Sequence, residues 1–485
     1  MRPCILLIAL AAVLAVPVSA SAATSELATG VYDLLEFPSN TEGNLALQRT
    51  KAAGAKYAKI VAWWREIAPI TRPSGFDPKN PNDPAYRWTD LDTQIQLALA
   101  NGLKPVVMVV IAPKWAVADD NISRPGTYKP SYTELASFGV ALVKRYPDVN
   151  HWAVWNENNL FTFLAPQVQD GRLFAPSHYR KMVNAFSDAV HAQKPSSVVI
   201  AGELAPFGGT VRTARTPPKT FMRALLCINS NNRPIPGCAP LRANVWSTHP
   251  YTSGGPTHQA NSPYDVSLGD LREMRAILNV AIKYRHIVSA RPIEFWITEF
   301  SWDTRGVDPR GVPMRLAARW VSELAYRAKA AGVNTVIWFG LRDRPFPASA
   351  LQGGLYFCGG ATLTDEGPCA DTIANDQAKG VFPSFRFPFV AYPLSGTVFV
   401  WGRTPGGVYR RVVIEHLTSR GWRAIGVLTP NAYGVFAKRF SLPWTRGFLR
   451  ARLRYSTMTS VPFSLVRPAD LTLSHPFGCG GSIDC

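Results

Sequence analysis

Two glutamates end apolar, strand-like segments of the sequence. The segment 151–157 (HWAVWNE) ends in Glu157, and the segment 293–299 (IEFWITE) ends in Glu299. A carboxylate is costly at the end of a buried strand unless the fold uses it. Two such carboxylates in one site can divide the work of glycosidic bond cleavage, one giving a proton and the other attacking the anomeric carbon. The pair therefore predicts hydrolysis of glycosidic bonds with retention of configuration.

Both glutamates belong to an alternation of apolar segments and helical patterns that runs from about residue 28 to 340. The segments recur at intervals of roughly 30 to 50 residues, a rhythm typical of a (β/α)8 TIM barrel, which is an α/β fold. The eight predicted strands lie near 28–33, 57–62, 105–111, 151–156, 197–202, 243–248, 293–298 and 333–339.

The pattern changes after the barrel. Short strands separated by Gly- and Pro-containing turns follow from Phe385 to about Val466, which predicts a small C-terminal antiparallel β-sandwich. The predicted division is a signal peptide at 1–22, the barrel at 23–384, the sandwich at 385–470 and a cysteine-containing tail at 471–485.

The beginning of the sequence resembles a secretory signal. Arg2 precedes an apolar stretch from Ile5 to Val16, and the small residues 20–22 suit a cleavage site. The apolar stretch is too short for a membrane helix, and no later segment is long enough to span a bilayer. We therefore expect a secreted, extracellular protein without a transmembrane segment.

Six cysteines follow the signal, and their usage agrees with export. Six cysteines allow fifteen connectivities, so proximity alone favours local pairs. No C-x-x-C pair or histidine doublet accompanies them, which disfavours a metal site. No phosphate loop or dinucleotide fingerprint is present, so no cofactor is expected. The favoured pairs are Cys227 with Cys238, Cys358 with Cys369, and Cys479 with Cys485.

The formal net charge of +19 is concentrated toward the end of the sequence. Residues 385–485 hold twelve arginines and one lysine against three acids. The arginines are scattered among strand-like alternations without a recognisable nucleic-acid motif, so a solvated strand face is favoured over a specific nucleic-acid partner. Attraction to acidic wall polymers stays open.

Side chains at the C-terminal ends of barrel strands point into one shared mouth. Acids, amides and indole rings at that mouth suit a sugar, because they bond hydroxyls and cover the C–H faces of a pyranose. Trp115 and Trp302 are expected to be sugar platforms, and Glu203 either contacts a substrate hydroxyl or makes a structural hydrogen bond. Besides the two glutamates, the candidates are Lys59, Trp115, Asn156, Glu203, His249, Tyr251, Trp302 and Trp338.

Three motifs at the strand ends carry a resemblance to a known group of enzymes. Trp-Asn-Glu-x-Asn at 155–159, His-x-Tyr at 249–251 and Trp-x-Thr-Glu at 296–299 occur in that order. The set resembles clan A glycoside hydrolases, most of all family 39 and related β-xylosidase-like groups. The resemblance implies that Glu157 is the general acid/base and Glu299 the nucleophile.

The same resemblance, which covers roughly residues 25–345, implies further contacts. Asn156 would bond the 2-hydroxyl of the sugar, and Tyr251 would donate a hydrogen bond to the nucleophile with His249 beside it. Trp338 would form the floor of the cleavage subsite. The resemblance also suggests a xylan- or arabinan-type polysaccharide as substrate, although no residue of the sequence selects the sugar.

Three positions depart from the pattern of these families. Asn158 stands where proline is usual, Lys59 stands where the second strand typically carries an arginine, and Glu203 adds a third carboxylate near the mouth. A lysine supplies charge without the bidentate fork of a guanidinium. Asn158 and Lys59, together with the basic C-terminal sandwich, motivate an alternative function, a carbohydrate-binding or wall-associated protein that keeps the barrel and has lost turnover.

Overall fold

The computed structural model describes most of the chain. The predicted signal peptide at 1–22 lies outside the described residues, as do Cys369, Cys479 and Cys485. Within the described part, no helix is both long enough and apolar enough to cross a bilayer. The described residues are 26–120, 124–209, 214–346, 349, 351–358, 372–471 and 473.

Eight parallel strands close into a barrel, in the order β1-β8-β7-β6-β5-β4-β3-β2. Each predicted strand overlaps one of them, so the predicted (β/α)8 barrel is confirmed. Most strand residues are buried on both faces, as is usual for parallel sheets covered by helices. The strands are β1 Ala28–Tyr32, β2 Tyr57–Trp63, β3 Lys104–Val110, β4 His151–Val154, β5 Val198–Leu204, β6 Val245–Thr248, β7 Glu294–Phe300 and β8 Thr335–Phe339.

Helices between the strands cover the outside of the barrel. The fourth helix begins at Ser131, whose hydroxyl accepts a hydrogen bond from the Glu134 amide at 3.3 Å. Its buried residues Leu135, Phe138 and Leu142 recur at helical spacing and form one packed face. The helices are α1 Gly43–Ala52, α2 Trp64–Ile67, α3 Thr89–Ala100, α4 Tyr132–Arg145, α5 Ala175–Gln193, α6 Pro218–Leu226, α7 Leu271–Lys283, α8 Met314–Ala330 and α9 Val381–Arg386.

Two antiparallel sheets follow the barrel, as the sequence predicted. One has the strand order β9-β10-β13 and the other β12-β11-β14-β15. The residue boundaries assigned to the two domains stay a prediction. The strands are β9 Phe389–Leu394, β10 Thr397–Arg403, β11 Val412–Thr418, β12 Gly421–Leu428, β13 Val435–Phe440, β14 Phe448–Leu453 and β15 Phe463–Ser464.

One of the three predicted disulfides lies entirely within the described residues. Cys227 and Cys238 are bonded and close a loop after α6, which confirms that pair. Cys358 is described, but its predicted partner is not, and neither member of the third pair is described.

Candidate active site

Strands β7 and β5 each carry a glutamate near the C-terminal end, and beside that glutamate the regular pairing with the neighbouring strand is interrupted. The pairing of β7 with β8 shifts between residues 297 and 300, around Glu299. The pairing of β5 with β6 shifts between residues 201 and 204, around Glu203. A bulge of this kind re-aims a side chain relative to the strict alternation of a strand, and bulges are frequent beside active sites.

The bulge of β5 depends on Gly202. Its φ is +111°, and a β-carbon there would lie 2.2 Å from the backbone oxygen of Ser247 on β6. Only glycine allows this close approach of the two strands. As a result, the Ser247 hydroxyl accepts a hydrogen bond from the Glu203 amide at 2.9 Å.

Four non-glycine residues at the C-terminal ends of barrel strands have a positive φ. The values are 58° for Ile111, 69° for Trp155, 39° for Glu157 and 49° for Glu203. Each such conformation costs about 1–3 kcal/mol and persists only where the surroundings hold it, a pattern common at functional sites. The indole of Trp155 contributes by donating to the Phe163 carbonyl at 2.6 Å.

Glu157 and Glu299 face each other across the mouth. One oxygen of Glu157, one oxygen of Glu299 and one nitrogen of His249 all lie within 4.8 Å of one another. The glutamate side chains keep 13% and 12% of their surface exposed, whereas His249 is fully buried. The Tyr251 hydroxyl donates to Glu299 Oε1 at 2.9 Å. The structure therefore brings together four residues that the sequence predicted for one site.

His249 contacts three carboxylates. Its Nδ1 lies 3.1 Å from Glu157 Oε1 and 3.9 Å from Glu299 Oε2, and its Nε2 lies 3.3 Å from Glu203 Oε2. Burial disfavours a charged imidazole, but the three carboxylates outweigh it and raise the pKa of His249 to about 9. At neutral pH this residue is therefore an imidazolium that can donate from both nitrogens.

Glu203 and Lys59 form a buried ion pair behind His249. Lys59 Nζ donates to Glu203 Oε2 at 2.6 Å, and the Ser247 hydroxyl donates to Glu203 Oε1 at 2.8 Å. Burial would raise the pKa of Glu203, but Lys59 and His249 outweigh it and hold that pKa far below its ordinary value. Neither side chain has exposed surface. Of the two expectations for Glu203, the structure shows the structural hydrogen bonds. A contact of Glu203 or Lys59 with substrate stays a prediction, which the burial of both side chains disfavours.

Burial raises the pKa of Glu299, and the neighbouring charge of Glu157 adds to this effect. The imidazolium of His249, the ammonium of Lys59 and the hydrogen bond from Tyr251 oppose it. Burial and the adjacent carboxylates also raise the pKa of the Tyr251 phenol well above its ordinary range. The phenol therefore stays protonated and remains a donor to Glu299.

Two of the predicted tryptophan contacts are corrected by burial. Trp302 is 1% exposed and donates to the Gly254 carbonyl at 3.0 Å. Trp338 has no exposed surface and donates to the Gly353 carbonyl at 2.8 Å. Neither ring presents a face to a ligand, because loops after the strands cover both. Trp115 is only half-buried, and its role as a sugar platform stays a prediction.

The two asparagines that flank Glu157 differ in their hydrogen bonds. Asn156 is mostly buried, and within the described residues its amide oxygen has no hydrogen-bond partner. Asn158 is fully buried and donates from its amide nitrogen to the Gly202 carbonyl at 2.8 Å. A proline could not make this bond, so the departure from the family pattern has a structural reason.

Sequence reasoning missed two members of the charged network. Ser247, which binds Glu203, is a buried polar residue within β6. Tyr32 ends β1, and its ring centroid lies 4.8 Å from Lys59 Nζ. Both could have been found by extending the search to the end of β1 and to polar residues within the strands.

Glu157, His249 and Glu299 form the group of possible metal ligands found among the described residues. A metal at this group would have to displace the proton that the carboxylates hold on His249. The same three side chains can also move protons and bind sugar hydroxyls.

Neither a protein-family model nor a curated protein sequence matches the chain. Its fold is similar to that of a family 39 glycoside hydrolase from the gut symbiont Bacteroides cellulosilyticus WH2, with a TM-score of 0.52. The two sequences are 13% identical, and the match covers 85% of this chain and 79% of that chain. A monomeric β-xylosidase from Caulobacter crescentus CB15 has 15% identity, with 87% and 94% covered and a TM-score of 0.47. At such identity the first likeness establishes the fold alone, and at that level it confirms the predicted resemblance to family 39.

Proposed function

We propose that the chain is a secreted glycoside hydrolase that cleaves with retention of configuration through Glu157 and Glu299. The observation that carries this proposal is the approach of the two carboxylates to within 4.8 Å at the partly exposed barrel mouth. Retaining enzymes hold their carboxyl groups about 5–5.5 Å apart, whereas inverting enzymes need about 6.5–9.5 Å to admit a water molecule. The separation favours direct attack by a carboxylate.

In the first step, Glu157 gives its proton to the glycosidic oxygen while Glu299 attacks the anomeric carbon. The leaving sugar departs as an alcohol, and an ester joins the remaining sugar to Glu299. In the second step, Glu157 takes a proton from water, whose oxygen attacks the anomeric carbon and frees Glu299. The Tyr251 hydroxyl, 2.9 Å from Glu299, stabilises the carboxylate before attack and as it leaves.

His249 connects the two carboxylates with the buried ion pair. Its Nδ1 faces Glu157 and Glu299, and its Nε2 is held by Glu203. We assign Glu203 and Lys59 as positioning residues that fix the imidazolium in this orientation. The positive charge of His249 opposes the rise that burial causes in the pKa of Glu299.

Two further residues are proposed to contact the sugar directly. We propose that Asn156 bonds a sugar hydroxyl, because within the described residues its buried amide oxygen has no hydrogen-bond partner and an unsatisfied polar atom is costly. The other is Trp115, which is half-buried and has the guanidinium carbon of Arg72 5.0 Å from its ring centroid. The sequence resemblance favours a xylan- or arabinan-type polysaccharide as substrate. Export is supported by the signal-like segment 1–22 and by the disulfide of Cys227.

A panel of nitrophenyl glycosides tests the proposal and identifies the sugar. We expect release from at least one glycoside and a loss of roughly a thousandfold or more in Glu299→Gln. Glu294→Gln is a matched control, because Glu294 lies at the opposite end of the same strand and bonds the indole of Trp296. Unchanged activity in Glu299→Gln would refute the nucleophile. Sugar binding without release from any glycoside would favour the carbohydrate-binding alternative.

A further inference from the structure

Three loops meet at one end of the two C-terminal sheets. The register places the ends of β10, β12 and β14 beside the starts of β11 and β13. Loop 404–411 joins β10 to β11, loop 429–434 joins β12 to β13, and residues 454–457 follow β14. We call this region the three-loop end.

Backbone hydrogen bonds hold the three loops together. The Thr404 amide donates to the Gly434 carbonyl at 2.9 Å, and the Thr404 hydroxyl donates to the Val408 carbonyl at 2.6 Å. The Arg454 amide donates to the Arg411 carbonyl at 2.9 Å. These bonds hold the backbones of the loops next to one another, so the side chains that the loops carry start from one surface.

The three-loop end exposes large rings next to guanidinium groups. Tyr455 is 87% exposed and Tyr409 is 66% exposed. The guanidinium carbon of Arg454 lies 4.7 Å from the ring centroid of Tyr455. Aromatic and arginine side chains are the ones most enriched where a surface binds a partner. The members are Tyr409, Arg410, Arg411, Tyr433, Arg454 and Tyr455.

Acidic side chains near this surface are few and already engaged. The described residues from 385 to 471 include two acids, Glu415 and Asp470. Glu415 is buried and accepts hydrogen bonds from two arginines of β14, at 2.8 and 2.7 Å. Asp470 pairs with Arg467 at 3.0 Å. Within the described part of the chain, the arginines of the three-loop end form no ion pair with an acid.

We propose that the three-loop end binds a polysaccharide that carries uronate groups. Tyrosine rings can pack on the C–H faces of pyranoses, and guanidinium groups bind carboxylates through paired, charge-assisted hydrogen bonds. Tyrosines alone would suit a neutral glycan, so the arginines select an acidic one. The choice of a sugar polymer over another polyanion rests on the proposed function of the barrel.

The three-loop end lies away from the barrel mouth. A β-carbon on Gly54 would come within 2.9 Å of the Gly406 amide nitrogen in loop 404–411. Gly54 precedes β2, so the loop contacts the barrel at its N-terminal end, opposite the C-terminal ends that carry the candidate active site. A polymer bound here would tether the protein and would not be cleaved where it binds.

Affinity electrophoresis in gels containing polygalacturonate tests this proposal. A triple variant with Arg410, Arg411 and Arg454 changed to alanine should bind the polymer about tenfold or more weakly. A charge-matched control changes Arg420, Arg423 and Arg439 to alanine. These exposed arginines lie toward the opposite end of the same strands, so the control should bind as the wild type does.

Further measurements separate this surface from a general effect of charge or of misfolding. Neutral xylan should not retard the protein, and Tyr409→Ala with Tyr455→Ala should weaken retardation by polygalacturonate without altering charge. All variants should unfold at the wild-type temperature, because the changed side chains lie at the surface. Cleavage of small glycosides should also be unaltered.

Several outcomes would overturn the proposal. An equal loss of polygalacturonate binding in the two triple variants would show that net charge alone explains the binding. Tighter binding of single-stranded DNA than of polygalacturonate would assign the surface to nucleic acid. Absence of retardation by polygalacturonate would also reject it. Retardation by a protein that cleaves no glycoside would reject the proposed hydrolase and leave this surface standing.

Discussion

The buried pair of Lys59 and Glu203 should be energetically coupled, and Glu203→Gln tests this coupling. The pair has a separation of 2.6 Å and no exposed surface on either side chain. Replacing the carboxylate by an amide leaves the Lys59 ammonium buried without its anionic partner. It also removes one of the three negative charges that keep His249 protonated.

Loss of one partner of a buried ion pair typically costs about 3–5 kcal/mol of unfolding free energy. Both side chains of this pair are fully buried, so solvent does not screen the loss and we expect a value in that range. The double variant Lys59→Met with Glu203→Gln removes both charges and should recover most of the loss, because neutral replacement of a whole buried pair is often tolerated.

Urea unfolding of the four proteins in this double-mutant cycle, at pH 7, gives the coupling energy directly. Lys379 and Asp343 provide a matched control, since they form another buried pair at 2.7 Å on the β8 side of the barrel. Imidazole NMR should show the highest His249 pKa in the wild type, a lower one in the double variant and the lowest in Glu203→Gln. The variants of Lys379 and Asp343 should leave the pKa of His249 at its wild-type value.

The reasoning would be refuted by a loss of less than about 1 kcal/mol in Glu203→Gln, which is the range of an exposed pair. A double variant whose loss equals the sum of the single losses would refute it as well. An unchanged pKa of His249 in Glu203→Gln would show that the ion pair does not act on the imidazole.

Three further changes have defined outcomes. Tyr251→Phe removes the hydrogen-bond donor to Glu299 and should lower kcat roughly tenfold to a hundredfold, which is the effect of one hydrogen bond to a charged group. KM should change little, and an unaltered kcat on the best glycoside would contradict this role. The pKa of His249 in the folded protein is about 9, above its ordinary 6.5, so its contribution to stability should be complete below pH 6.5 and disappear as the pH rises through 9. The difference in unfolding free energy between wild type and His249→Gln, measured in urea, should therefore shrink over that interval. A difference that grows with pH would contradict the assigned sign. Replacing Cys227 and Cys238 by alanine opens a loop whose ends are 11 residues apart in sequence. The unfolding free energy, measured in urea without reductant, should fall by about 2–4 kcal/mol, and equal stability of variant and wild type would contradict this.

The barrel and the convergence of its strand ends could be predicted from the sequence. A run such as residues 105–110, apolar throughout and buried in the barrel wall, has few alternatives to a strand covered on both faces. Because parallel strand ends share one edge of a barrel, residues far apart in sequence were correctly expected to meet, as Glu157, Tyr251 and Glu299 do.

The interior of the site could not be predicted in the same way. Lys59 and Glu203 are 144 residues apart and meet across the barrel interior, which no local pattern reports. The burial of Trp302 and Trp338 depends on how the loops after β6 and β8 fold over their rings. The positive φ of Glu157 is likewise a product of tertiary contacts, since no glycine or asparagine marks its position.

The central claim is that Glu157 and Glu299 act on the two sides of one glycosidic bond through a covalent intermediate. The most direct test is proton NMR of the anomeric signal during the first turnovers, on the glycoside identified by the panel. Two successive displacements should release a sugar with the same anomeric configuration as the substrate. Initial release of the opposite anomer would contradict the double displacement, whatever the rate of cleavage.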